Sequence, residues 1–364
     1  MVNLIQPRSG TYLSSDVTFL LEDSSAPSLS IQEKEAAIQS GAMHYSECIT
    51  VEDAPSPQYL KYYESALNRS GARFAQDMVN LSHAVLSDFK KDKPVILVSL
   101  ARAGTPIGVL MQRYAVKNGF DSTHYSVSIV RDKGLDLCAI QEICWNHSDL
   151  SQLIFVDGWT GKGTITRELN KSIDLWNFKN KYQKIDCKLA VIADPCGWAT
   201  YSATHDDYLV PNAILNSTIS GCVSRTTCMD NNKMHGAKFF ESLVPVDMSN
   251  IFVDCVEGLM DKMTFINIDN DLSCKKSLQV SGRRWFDEAK KTFGAKSDNH
   301  LKPGIPEATR VLLRRVPRAI IVRDIKDKDV DHLIFLAREK NVELRIEKDM
   351  PYAAVGLIDG NVGD

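Results

Sequence analysis

The sequence lacks any paired-cysteine signature. Its 9 cysteines are odd in number and scattered, no two are separated by only two residues, and the closest pairs, Cys138/Cys144 and Cys222/Cys228, have five residues between them. That spacing excludes a disulfide framework and a thiolate zinc site, and leaves buried free thiols. Also missing are an apolar run near membrane-spanning length and a charged-then-apolar leader at "MVNLIQPRSG", so the expectation is a soluble, cytoplasmic chain with no membrane partner. Charge of one sign is not in excess: 43 Lys and Arg stand against 46 Asp and Glu, which gives no whole-chain argument for nucleic acid. No internal repeat is present. What remains is an ordinary globular composition, 44% hydrophobic and 24% charged over 364 residues, long enough for two domains.

Residues 1–58 read as an irregular or helical extension, punctuated by "SSAPSLS" and "EDAPSPQ". From Tyr59 to Phe89 the residues Leu60, Tyr63, Leu67, Phe74, Met78, Leu81, Val85 and Phe89 keep helical spacing, which predicts one long amphipathic helix or two broken near Gly71. Apolar runs follow at "PVILVS", "YSVSIV", "LIFV" and "KLAVIA", alternating with helical segments such as "TPIGVLMQRYAVKNG" and "TITRELNKSIDLW". That alternation predicts an α/β fold with a parallel sheet and flanking helices. The composition shifts near Ser281: residues 281–323 hold eleven Lys or Arg against four Asp or Glu. Residues 281–303 read as a basic linker, and 304–364 as a small C-terminal α/β unit following a main unit over 1–280.

The stretch "LIFVDGWTGKGTITREL" carries the clearest chemistry. A buried strand ends in Asp157, a loop of small residues follows, and a helix begins with its positive end at the same spot. A Walker A loop is excluded because Val156 and Gly163 stand where its first Gly and its Ser/Thr belong, and a dinucleotide GxGxxG because Thr166 replaces the third Gly. The stretch "ILVSLARAGTPIGVLMQRY" repeats the strand–turn–helix form, with Arg102 in the turn. Small residues there let amides approach an anion, and an arginine adds a charge-assisted contact.

Together the two loops resemble the ribose-phosphate and diphosphate loops of type I phosphoribosyltransferases. The resemblance implies that Asp157, Thr160, Gly161, Lys162, Gly163 and Thr164 hold a ribose 5′-phosphate, and that Ala101, Arg102, Ala103 and Gly104 hold a diphosphate. It further implies that Arg131 and Lys133 sit on a mobile lid over Arg131–Asp149, that Asp194 lies near the acceptor base, and that Mg²⁺ joins the diphosphate with an outer contact to Asp157. The family motif has two adjacent acids; here Gly158 takes the second place. More narrowly, "SGTYLSSDVTFLLED", "IQSGAMHYSECI" and "PSPQYLKYYESAL" resemble bacterial phosphoribosyltransferase-like proteins of tellurium-resistance and stress gene clusters, some of which carry a cysteine protease label.

"GIPEATRVLLRRVPRAIIVRD" resembles the RNA-contacting segment of pelota/L7Ae-type domains, with Gly304, Glu307, Thr309, Arg310 and Arg314 as the implied contacts to a structured RNA and Pro306 where Asn is usual. The leading expectation is therefore a phosphoribosyltransferase, by default a homodimer, acting on a phosphoribosyl diphosphate or nucleotide-like substrate. The alternatives are a non-catalytic sensor of such a molecule that binds RNA, and a cysteine protease. The last needs a thiolate paired with an imidazole, for which Cys222 or Cys228 with His235 lie close in sequence.

Overall fold

The computed structural model describes residues 3–230, 232–268, 271–315 and 317–358; residues 359–364 of the expected C-terminal unit lie outside them. The apolar runs become strands β2 (Val95–Ala101), β3 (Ser122–Val130), β4 (Leu153–Trp159) and β5 (Leu189–Ala193), joined by β6 (Tyr201–Thr204) and by a two-residue edge strand β1 (Thr18–Phe19). They pair in parallel in the order β1-β3-β2-β4-β5-β6, and Gly134–Leu135 adds a short antiparallel partner to β3.

Both faces of the sheet are covered, which is why its strands read as unbroken apolar runs rather than alternating ones. Val95, Leu97, Ile154, Val156, Ala190 and Ile192 point into one core with α2 (Pro57–Ser87), α3 (Thr105–Lys117) and α6 (Ser249–Met260). The residues between them, Ile96, Val98, Phe155 and Val191, point into a second core with α4 (Leu137–Asn146) and α5 (Thr164–Lys179). Helix α2 is one unbroken helix of 31 residues, begun by Ser56, whose side chain accepts from the Tyr59 amide, and by Pro57 in the first turn. Gly71 does not break it; a Cβ there would touch Leu259 of α6 at 3.4 Å, an ordinary contact distance.

The N-terminal extension is less irregular than its composition suggests. Helix α1 (Ile31–Gln39) starts at a capping box in which Ser30 accepts from the Glu33 amide and Glu33 accepts from the Ser30 amide. The basic segment expected as a linker is also different: α7 (Leu272–Phe293) runs through most of it, burying Trp285, Phe286, Ala289 and Phe293. Those side chains cover one face of a second sheet, in which β7 (Leu301–Pro303), β8 (Pro317–Val322), β9 (Glu343–Ile346) and β10 (Ala354–Ile358) pair in the order β7-β10-β8-β9. Helices α8 (Ile305–Arg314) and α9 (Asp331–Glu339) cover its other face. Ile305, Ala308, Leu312 and Leu333 belong to the same apolar core as Tyr59, Tyr208 and Ile214, so the C-terminal unit packs directly on the main one.

Among the described residues no helix is long and apolar enough to cross a membrane.

Candidate functional site

In the main sheet the chain steps from β2 to β3 on one side and later to β4 on the other. The reversal leaves a crevice at the carboxyl ends of β2 and β4, the usual ligand position in open α/β sheets. Asp157 and the loop to Thr164 occupy the β4 side. The loop is pinned by the Thr160 amide, which donates to the Ala193 carbonyl at 3.0 Å, and turns into α5 at Gly163 with φ of 71°. A side chain at Gly163 would stand 2.3 Å from the Trp198 ring. Gly163→Ala is therefore expected to lower unfolding free energy by at least ~1–2 kcal/mol from the backbone alone, with a further cost from displacing Trp198. Thermal unfolding followed by tryptophan fluorescence checks it.

Beside this loop lies a cavity of about 210 Å³, and its far wall comes from the C-terminal unit through Lys302, Pro303, Glu307 and Arg310. Arg310 sits 4.5 Å over the Trp159 ring and bonds Glu307 at 2.6 Å. Asp157 accepts from the Gly158 amide at 2.7 Å. Burial raises its carboxyl to about 7, against the pull of Arg310. Burial and the neighbouring Lys302 lower Lys162 to about 7, and its amine donates to the carbonyls of Asp298 and Leu301. Burial works against the charge on Glu307, but Arg310 and Lys302 hold its carboxyl below the ordinary range.

The structure brings Asp157, the Thr160–Thr164 loop, Arg131, Glu307 and Arg310 to one cavity. It does not bring the other loop there. Gly104 packs behind Asp157, where a side chain would lie 2.4 Å from the Val156 carbonyl oxygen, Ala103 backs onto Gly158, and Ala101 ends β2 beside Ser128. Arg102 points elsewhere, bonding the Glu52 carboxylate at 2.5 Å and the Val223 carbonyl at 2.9 Å. The two turns are packed against one another rather than set across an open gap.

The expected lid is likewise a fixed element. Val130 pairs with Gly134 around a tight turn holding Arg131 and Lys133, and Asp136 then caps α4 by accepting from the amides of Cys138 and Ala139. Ala139, Ile140 and Ile143 are in the core, which is what fastens it. Asp194 is fully buried in the turn after β5, accepting from the Ala199 amide at 2.7 Å, so it is a turn residue rather than an acceptor-facing one. In the cavity wall the carboxylates are Asp157 and Glu307, and no group of three His, Cys, Asp or Glu among the described residues could hold a metal. The expected Mg²⁺, carried on a diphosphate with an outer contact to Asp157, calls for no such group of protein ligands.

Three of the five implied RNA contacts are engaged within the chain. Gly304 lies against Asp207, Thr309 is fully buried and bonds His332 and the Ile305 carbonyl, and Arg314 bonds Asn216. Glu307 and Arg310 reach the cavity.

Burial raises the thiols of Cys138, Cys144, Cys187, Cys196, Cys222 and Cys228 above their ordinary value, which keeps them protonated. Cys222 adds a like-charge neighbour in Asp247. His235, the imidazole expected to pair with Cys222 or Cys228, bonds Ser128 through Nδ1 at 2.8 Å, and burial lowers it to about 4. Cys48 has different surroundings. It is buried, and Lys34 and Arg225 are within electrostatic reach of it. Of Lys34, Tyr45, Arg225 and Arg315, which wall a chamber next to the loop cavity, the sequence marked only Tyr45, inside "IQSGAMHYSECI", and Arg315, in the basic run from Ser281.

Comparison with known proteins gives four findings. Residues 10–257 match the family described as tellurite-like stress resistance cysteine protease StiP, and residues 280–360 match the PELOTA RNA binding domain. A protein of Acinetobacter baylyi (strain ATCC 33305 / BD413 / ADP1), named cysteine protease StiP, is 34% identical, the match covering 98% of this chain and 95% of that one. No solved structure matches. The resemblance to the stress-cluster group and to pelota domains is borne out. The phosphoribosyltransferase expectation, with its phosphoribosyl diphosphate or nucleotide-like substrate and its sensor variant, is corrected, because family and relative alike are named as a cysteine protease. The resemblance needs two anion loops facing one site, whereas the arginine of one loop is committed to Glu52.

Proposed function

The chain belongs to the StiP family of tellurite-like stress resistance cysteine proteases, and from that premise we propose that it is a cysteine protease acting in a stress response. The observation that carries this reading is the near end-to-end match to a relative so named, at 34% identity. A protease of this class attacks the scissile carbonyl with a thiolate, and a neutral imidazole takes the thiol proton.

We take Cys48 as the nucleophile. Lys34 and Arg225 both lie within electrostatic reach of its sulfur. His44, four residues earlier, lines the chamber that Lys34 and Arg225 also line, and its Nδ1 is fixed on Ser46 Oγ at 2.7 Å. Burial and the nearby Lys133 lower His44 below its ordinary value, so it is neutral and able to accept a proton at pH 7. The test is hydrolysis of an unfolded protein such as casein by the full chain under reducing conditions. Cys48→Ala and His44→Ala are expected to lower the rate at least a hundredfold, and iodoacetamide to abolish it, while Cys228→Ala leaves it within twofold. Hydrolysis surviving in Cys48→Ala would remove the nucleophile assignment; no hydrolysis by the unmodified chain would remove the protease reading.

RNA binding by residues 280–360 is the second property that the family match supports. In this arrangement Arg310 and Lys302 line the cleft through which an RNA would reach α8, while Thr309 is buried beneath it.

A further inference from the structure

Next to the loop cavity lies a larger chamber of about 480 Å³, and the two share Arg131, Lys302, Glu307 and Arg310 in their walls. That volume falls in the usual range for small-ligand sites, roughly 300–1,000 Å³. The main unit contributes Lys34 from α1, Tyr45 from the following loop, and Arg225; the C-terminal unit contributes Arg314 and Arg315. Seven of the lining residues are Lys or Arg, and the one lining acid is Glu307.

Cations withdrawn from water are ordinarily matched by carboxylates. Three here are matched: Arg310 by Glu307, Arg315 by Glu35 and Arg131 by Asp132. Three others, among the described residues, hydrogen-bond to neutral acceptors alone and pair with no carboxylate, although the Cys48 thiol is within electrostatic reach of Lys34 and Arg225. Lys34 donates to Thr50 Oγ1 at 3.0 Å, Arg225 to the Tyr45 carbonyl at 2.7 Å, and Arg314 to Asn216 Oδ1 at 2.9 Å. Glu52 is within electrostatic reach of Arg314, but its oxygens are taken by Arg102 and Ser217.

The mismatch is visible in the proton affinities. Burial first, then Arg225, Arg315 and Arg314, bring Lys34 down to about 7. Burial and cationic neighbours also lower Arg225 and Arg314. The Tyr45 ring lies between two of these groups, 4.6 Å from the Arg225 guanidinium and 5.3 Å from that of Arg131. It holds both in the wall despite their repulsion. A single carboxylate would match one cation. Several separated cations with forked donors suit an anion whose charges are spread over linked phosphates.

We propose that this chamber binds a compact polyanion carrying two or more linked phosphate groups. The ligand supplies the negative charge that the walls lack. It bridges Lys34 and Arg225 of the main unit to Arg314 of the C-terminal unit, and so tightens one against the other.

The experiment is isothermal titration of the full chain with inorganic tripolyphosphate, with orthophosphate, sulfate and a single-stranded RNA oligomer as parallel arms. Tripolyphosphate is expected to bind saturably at one site and to raise the unfolding temperature, with orthophosphate and sulfate at least tenfold weaker. Lys34→Met should weaken tripolyphosphate at least tenfold while leaving the ligand-free protein no less stable, since it removes a buried cation that lacks a counter-charge. Arg225→Gln should weaken it similarly, and Arg283→Gln, on the exposed side of α7, should leave it unchanged. No tripolyphosphate binding would overturn the proposal. So would binding equal to that of orthophosphate, binding unaltered in Lys34→Met, or an RNA oligomer that depends on Lys34 while tripolyphosphate fails to displace it. Binding is read without turnover, so the outcome is independent of the protease reading.

Discussion

Arg102→Ala is expected to destabilise the fold by roughly 3–5 kcal/mol, the range for breaking a buried ion pair by removing one partner. The Arg102 and Glu52 side chains are 5% and 10% exposed, so water cannot replace the lost guanidinium. Glu52 also accepts from the amide and hydroxyl of Ser217, and Arg102 also donates to the Val223 carbonyl, so one pair ties three remote segments together. Burial works against the charge on Glu52, but Arg102 and then Arg314 outweigh it and hold the carboxyl at about 2, below its ordinary 4.5. A depressed acid contributes stability that is present above its ordinary value and lost as pH falls through the depressed one. Urea unfolding of the unmodified chain should therefore weaken progressively between pH 4.5 and 2. In Arg102→Ala, whose Glu52 has lost its main partner, that part of the decline should be small. The double variant Arg102→Met with Glu52→Gln should recover much of the loss, because it leaves no unmatched charge. An unfolding curve for Arg102→Ala that overlays the unmodified one would show that the pair does not hold the fold.

The same arginine shows where sequence reading reached its limit. The strands were legible because a doubly covered parallel sheet writes them as continuous apolar runs, and α2 because its apolar stripe holds helical period for 31 residues. The turn carrying Arg102 was legible as a turn. Its ion partner lies fifty residues upstream, in a segment with no periodic signal, and nothing local says that the side chain turns away from the crevice. Two elements that composition hides are nonetheless marked in the sequence. Ser30 and Glu33 form a capping box that announces α1, and Trp285, Phe286, Ala289 and Phe293 keep helical spacing inside a run whose Lys and Arg suggested a linker. The activity was misread for another reason. Small residues at a strand end make an anion-compatible turn in many proteins, and such a turn does not name a reaction. The cationic chamber was invisible because its walls come from α1, the Tyr45 loop, Arg225 and α8, which only tertiary packing brings together.

Asp207→Ala is expected to loosen the C-terminal unit from the main one, at a cost of roughly 3–5 kcal/mol for two buried amides left without their charged acceptor. Asp207 follows the last strand of the main sheet, yet its carboxylate is spent on the other unit. It accepts from the amide of Ile305 at 3.0 Å and from that of Ala353 at 2.8 Å, which open α8 and lead into β10. The Ile305 amide is at the start of a helix, where donors have no partner within the helix, so a carboxylate there also meets the positive end of the dipole. Hydrogen exchange of the full chain should show faster exchange confined to α8, β10 and the residues facing them, while the β2–β4 core keeps its protection. Asp207→Asn separates hydrogen bonding from charge. Burial raises the Asp207 carboxyl from 3.8 to about 6, more than its amide donors lower it. A raised acid contributes stability that is complete below its ordinary value and lost as pH rises through the raised one. The unmodified chain should therefore lose stability relative to Asp207→Asn as pH rises from 4 to 7. A stability gap that stays flat over that window would mean that the carboxylate is solvated in solution and that the two units are held by their shared apolar core instead.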